Sequence, residues 1–240
     1  MLEFKKSLTN KIIYILFLVV CFSFLLGYFL PVGIDKVKSL NQGEFLFSTY
    51  TVLTQFGFLL FSFVISYFIN KDYGDKNILF YRLIDKNIFS FFYGKIIILF
   101  IETFLSIFII LVIVSFIYSD FSKLFISLFL YSSVTLQYIL IIGLISLFSK
   151  NILISIGISI VYWITSVILV AISKNLSFFA PFDASNNFYG MVEKMYTTSN
   201  YTLSIEVILY IVLYLFAILA IQILLMIIFK KRWINLGIKN

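Results

Sequence analysis

The chain has 240 residues, 62% of them hydrophobic and only 12% charged, with a mean hydropathy of +1.09. Soluble domains carry about 45–50% apolar and about 25% charged residues, so this composition cannot furnish a water-facing shell. The net charge of +7 is accordingly read as a marker of membrane orientation and not of nucleic-acid binding. A bilayer span takes about 20 apolar residues. Six stretches meet that length: 12–30, 46–69, 96–118, 124–148, 152–172 and 204–229. The expected fold is an all-α integral membrane protein, a single six-span domain over 1–240.

The first span follows a basic start (Lys5, Lys6, Lys11). It is longer than the apolar core of a signal peptide, and no small-x-small cleavage site lies near Gly27–Gly33. Val20 before the single Cys21 argues against a lipoprotein site, and one cysteine forms no intrachain disulfide. Residues 31–45, with Pro31, Gly33 and Gly43, read as an irregular link. Residues 119–123 and 149–151 are tight turns, which makes the third, fourth and fifth spans antiparallel neighbours. The segment 173–203 holds a proline inside an apolar run, Leu176-Ser177-Phe178-Phe179-Ala180-Pro181-Phe182. That pattern fits a piece dipping back into the outer leaflet, or an ordinary loop packed on the bundle. The first alanine is Ala171. Earlier close helix contacts must therefore use Ser23-x-x-x-Gly27 and Ser62-x-x-x-Ser66, and later ones can use Ser155-x-Gly157-x-Ser159.

Basic residues orient the spans. With the N-terminus inside, 13 Lys and Arg fall on the cytoplasmic side and five outside: Lys36, Lys38, Lys123, Lys174 and Lys194. The positive-inside rule then puts both termini in the cytoplasm. The aromatic content of 20% is spread along the spans. Joint abundance of Phe, Ile, Tyr, Asn and Lys fits AT-biased coding, which suggests an AT-rich Gram-positive bacterium and its cytoplasmic membrane.

Much chemistry is absent from the sequence. Without histidine there is no His metal site and no Ser-His-Asp triad. No G-x-x-x-x-G-K-[ST] loop occurs. No catalytic, cofactor-binding or metal residues are expected. Glu102 is the one acidic residue well inside a span. It is a candidate functional residue, or a structural one near the interface paired with Lys95 or another cation. Gln55 and Gln137 read as interhelical hydrogen-bonding residues.

The informative stretch is the cytoplasmic segment 70–95. At 100° per residue Phe80, Leu83, Ile84, Ile88 and Phe91 share one face, and Arg82, Asp85 and Lys86 the other. Its mixed charge points to a protein partner more than to anionic lipid. Ile78 and Leu79 break the pattern, so either the helix starts after them or its polar side also meets a partner.

On these residues the chain resembles the type-2 ABC transporter permeases. Such permeases open with a short amphipathic helix, whose counterpart here would turn Phe4, Leu8 and Ile12 to lipid. Between spans two and three they carry an acidic residue, a glycine, an amphipathic coupling helix and Gly-Lys. Here these are Asp72 (more often Glu in the family), Gly74, residues 77–92, and Gly94-Lys95. The long segment before the last span and the basic tail Lys230-Lys231-Arg232 also agree. Within the family, the chain looks most like permeases of lantibiotic-immunity and antimicrobial-peptide export systems.

The resemblance implies a non-catalytic exporter subunit. It would pair with a second permease, identical or related, and contact an ABC ATPase dimer through Asp72, Gly74, Arg82, Asp85, Lys86, Gly94 and Lys95. ATP and Mg would reside in that partner, with no cofactor in this chain. The spans, mostly Phe, Ile, Leu and Tyr with few charges, suit a hydrophobic or amphipathic peptide cargo, not a polar solute. The alternatives are the substrate-binding subunit of a vitamin importer and a membrane-embedded transferase.

Overall fold

The computed structural model describes residues 2–75, 77–84, 86–198 and 201–239. Six of its helices are long and apolar enough to cross a membrane. These are α2 (Ile12–Gly33), α3 (Gln42–Gly74), α5 (Ile88–Tyr118), α6 (Leu124–Leu147), α7 (Ile152–Ile172) and α9 (Ile205–Ile228). Four shorter helices complete the chain: α1 (Leu2–Thr9), α4 (Asn77–Leu83), α8 (Asn187–Thr197) and α10 (Lys230–Lys239). A 3₁₀ helix, η1, spans Lys174–Phe179.

Asparagine starts several of these helices. Asn87, Asn151 and Asn186 each accept a first-turn backbone N–H. Asn41 and Glu44 form a reciprocal capping box at the head of α3. With 33 residues, α3 is about 50 Å long against a hydrocarbon core of about 30 Å, so it must project beyond the lipid. The 31-residue α5 projects likewise. Both overhangs lie at the end of the bundle that holds α1, α4 and α10, called here the terminal end.

α3 and α6 form the buried centre. α2, α5 and α7 pack around them, and α9 rests mainly on α6. As the short links predict, α5 packs on α6 and α6 on α7. Small residues set the closest approaches. A Cβ on Gly27 would meet Thr49 Oγ1 at 2.3 Å and its Cα at 2.7 Å. Ser66, Ser146 and Ser155 join hydroxyls across α3, α6 and α7 at 2.6–3.2 Å. Gly157, part of the same predicted small face, has open space beside it.

Buried side chains of the long helices hydrogen-bond backbone carbonyls across the bundle. Tyr131 donates to Leu46 O at 2.7 Å and Tyr138 to Leu53 O at 3.1 Å. Asn70 reaches Ser146 O at 2.9 Å, and Gln222 on α9 reaches Leu140 O at 2.6 Å. Lipid offers no competing water, so such bonds fix helix pairs and register.

The segment after α7 folds back on the bundle. η1 runs along α7 until the Tyr162 hydroxyl donates to Phe179 O at 3.4 Å. Tyr162 is ten residues before the end of α7, so the chain has returned by about 15 Å. It then turns through Asp183 into α8, which lies on α3 with Tyr189 and Thr51 hydroxyls 2.6 Å apart.

Candidate functional site

The predicted site residues gather at the terminal end around one buried charge cluster. Lys95 on α5 places its ammonium 2.7 Å from Asp72 Oδ2 on α3, 3.4 Å from Glu3 Oε2 on α1, and 2.8 Å from the Phe68 carbonyl. Lys6 on α1 binds Asp72 Oδ1 at 2.6 Å and donates to the Tyr81 hydroxyl at 2.9 Å. Tyr81 on α4 donates in turn to Glu3. Asn77 adds a donor to Asp72 Oδ1 at 2.8 Å. Two ammonium groups therefore face two carboxylates, and the cluster is neutral as a whole.

Burial makes this arrangement mechanically significant. Lys95 is 1% exposed, Asp72 3% and Glu3 5%. Charges removed from water must keep their partners, because breaking a buried pair typically costs about 3–5 kcal/mol. α1, α3, α4 and α5 are thus tied into one body at this end. Burial, followed by the neighbouring Asp72 and Glu3 carboxylates, drives the Tyr81 phenol far above its ordinary pKa. It stays protonated and remains a donor. Its ring also receives the Lys6 ammonium at 4.5 Å and that of Lys86 at 5.5 Å.

α1 supplies this site through one face. Glu3, Lys6 and Ser7 turn inward while Phe4 and Leu8 stay exposed. Gly94 lies beside α1, with the Glu3 Cγ 3.4 Å from where a Cβ would stand, an ordinary contact distance. Ser7 donates to Glu102 Oε2 at 2.7 Å, and Glu102 Oε1 is buried without a hydrogen-bond partner among the described residues. Ile12, expected to face lipid with Phe4 and Leu8, is fully buried. The left-handed Lys11 (φ 59°) ends the α1 register, so Ile12 opens α2 on a different face.

Between the second and third spans the structure corrects the expected single helix over 77–92. α4 ends at Leu83, and Asn87 caps a new helix that continues as span three. The break resets the helical phase. Phe80, Leu83 and Ile84 are exposed, whereas Ile88 and Phe91 are buried at the root of α5. Ile78, which spoiled the predicted face, is buried with Tyr81.

The named residues fall into three groups. Asp72 and Lys95 meet inside the cluster, with Gly94 beside Glu3. Gly74 and Lys86 lie nearer the surface, with open space beside Gly74. Asp85 and the Arg82 side chain lie outside the described residues. Sequence reasoning missed Glu3, Lys6, Ser7 and Tyr81. It also missed Trp233 on α10, which packs on Phe91 at 5.8 Å and brings the C-terminal helix against α4.

The sequence model of the peptide export permease protein YydJ family matches residues 1–238. The chain belongs to the YydJ peptide export permease family. A relative from Bacillus subtilis (strain 168), described as probable peptide export permease protein YydJ, is 56% identical over 238 residues, covering 99% of each chain. No solved structure matches. Family and fold together make this YydJ-family chain a multi-pass cell-membrane protein of transmembrane export.

Proposed function

We propose that this YydJ-family chain is the membrane subunit of an ABC-type exporter that moves an amphipathic peptide, driven by a separate ATPase chain. Family membership supports peptide export and leaves vitamin import and transferase chemistry without support. The observation that carries the coupling reading is the neutral, buried cluster of Glu3, Lys6, Asp72, Tyr81 and Lys95 beneath α4. α4 offers Leu79, Phe80 and Leu83 on its exposed side, followed by the exposed Ile84. An ATPase seated there would move α4, and the cluster would carry that displacement to α1, α3 and α5 as a rigid-body step. Asp72 and Lys95 then act inside the permease as the tie, and the surface near Gly74 and Lys86 receives the ATPase.

The terminal end is cytoplasmic in this reading, consistent with the positive-inside count. A second permease, identical or related, completes the path. Peptide immunity follows if the cargo is a membrane-active peptide removed from the bilayer. Reporter fusions at 40, 75, 150, 190 and the C-terminus should read out, in, in, out, in. Purification should bring down an ATPase with the wild-type chain. Leu83→Glu should lose the ATPase while the permease still inserts; unchanged binding and ATP-driven peptide transport would refute the docking site.

A further inference from the structure

Midway along the bundle a buried carboxylate lines a small cavity. Asp183 lies in the segment that returns along α7 and is 9% exposed. Its Oδ1 accepts the Ser185 N–H at 2.9 Å. Among the described side chains, no lysine or arginine forms an ion pair with it. With Gln137, Tyr138, Tyr162, Trp163 and Ser166 it lines a cavity of about 20 Å³. One water-sized sphere needs roughly 10–15 Å³, so the space admits a single small polar head.

The polarity of that space follows from where its donors are already used. Tyr138 donates to Leu53 O at 3.1 Å, Tyr162 to Phe179 O at 3.4 Å and Ser166 to Trp163 O at 2.8 Å. Gln137 directs its amide N–H at Tyr214 Oη, 3.0 Å away. Toward the cavity remain mainly acceptors, namely hydroxyl lone pairs, an amide carbonyl and the carboxylate, beside the Trp163 indole N–H and the second Gln137 amide N–H. Tyr138, Tyr162 and Trp163 add aromatic rings that attract a cation. A group bringing positive charge and several N–H donors is complementary to the carboxylate and its neighbouring acceptors; an anion is not.

Next to it, sharing Tyr162 and Phe179, is an apolar groove of about 590 Å³. Ile141, Leu213, Tyr214 and Ile218 form part of its walls, over α6 and between α9 on one side and η1 with Tyr162 of α7 on the other. A lone inorganic cation would use only the small space, whereas a tethered ammonium with an apolar body uses both. We propose that the two spaces form one binding site for the exported peptide. Asp183 takes a primary ammonium group, from the N-terminus or a lysine, and the groove takes adjoining apolar side chains. This deepens the peptide-export reading and rests on it.

The test uses the full chain in nanodiscs. Of its two tryptophans, Trp233→Phe leaves Trp163 as the reporter inside the cavity. The probes are three versions of one amphipathic Leu/Ser peptide: free N-terminus, acetylated with one lysine, and acetylated without lysine. Both ammonium versions should shift Trp163 emission saturably. The third should bind ~tenfold or more weakly, the loss expected for one charge-assisted pair. The stronger of the two ammonium versions identifies the source of the cation.

Asp183→Asn should bring all three peptides to the weak value, while Asp183→Glu keeps the ranking. Equal thermal melting of the variants shows that the loss is local. Equal half-saturation for all three peptides overturns the proposal, as does silence to all of them. Displacement by sodium or potassium but not by choline at equal ionic strength also overturns it, in favour of an alkali-ion site. ATP-driven uptake of the same peptides into inverted vesicles scores the export reading separately. Uptake indifferent to acetylation and to Asp183→Asn removes the ammonium site alone. Trp163 binding without any uptake keeps the site and removes export.

Discussion

Asp72 serves two lysines at once, and this makes it the least replaceable member of the terminal-end cluster. Without its charge, Lys6 can swing toward water, because its side chain is 22% exposed, but Lys95 at 1% cannot. Lys95 would keep Glu3 at 3.4 Å, the Phe68 carbonyl and the faces of the Phe68 and Phe91 rings. Removing Lys95 instead leaves Asp72 with Lys6 and Asn77, and Glu3 with Tyr81. Asp72→Asn should therefore lower the unfolding temperature in detergent more than Lys95→Met does. The Asp72 loss should approach the ~3–5 kcal/mol of a broken buried pair. A larger drop for Lys95→Met would contradict this assignment of partners.

From sequence alone, Asp72 and Lys95 were legible as charges at a membrane edge, but their partners were not. Glu3 and Lys6 lie more than 65 residues before Asp72 in the chain, and a single sequence does not pair residues across that distance. One signal was there to read. Glu3, Lys6 and Ser7 recur at helical spacing opposite Phe4 and Leu8, so the short helix had a second face needing a partner.

At the scale of the helices, apolar runs marked lipid depth and not helix length. The predicted spans 46–69 and 96–118 became Gln42–Gly74 and Ile88–Tyr118. Each gain is mainly an overhang at the terminal end, where the sequence turns polar but the helix continues: α3 runs on to Gly74, and α5 starts early at its Asn87 cap. Asn87 also explains the misplaced coupling helix, since a cap restarts the helical phase that was counted straight through it. The closest helix approach supports a prediction at this scale. Gly27→Ala would drive a Cβ to within 2.7 Å of the Thr49 backbone on α3. α2 must shift outward, at a cost of about 1–3 kcal/mol for overpacking. Thr49→Ala should recover only part of the lost thermal stability, because the Thr49 Cα also stands in the way. Full recovery would place the clash in the side chain alone.

For the whole molecule, the two sides of the bundle are held differently. α1, α3, α4 and α5 share the charge cluster, whereas α9 meets the body mainly through α6 and faces α7 across the apolar groove. A transport cycle that opens this chain should keep the first set together and change the α7–α9 gap. The single native cysteine, Cys21, permits a direct test in a Cys21→Ser background. Ser7→Cys with Glu102→Cys lets a bis-methanethiosulfonate reagent, which forms a disulfide with each thiol by releasing methanesulfinate, join α1 to α5. Tyr162→Cys with Ala217→Cys lets a longer one span the groove. Each double variant is compared with itself before bridging and after reductive release, so the effect of the substitutions cancels. Bridging α1 to α5 should leave ATP-driven peptide uptake near its unbridged rate, because the cluster already holds those helices as one. Bridging α7 to α9 should stop uptake reversibly while ATPase binding at the terminal end persists. If the α1–α5 bridge blocks transport and the groove bridge does not, the moving parts are the reverse of those assigned here, and the charge cluster is a latch that must open.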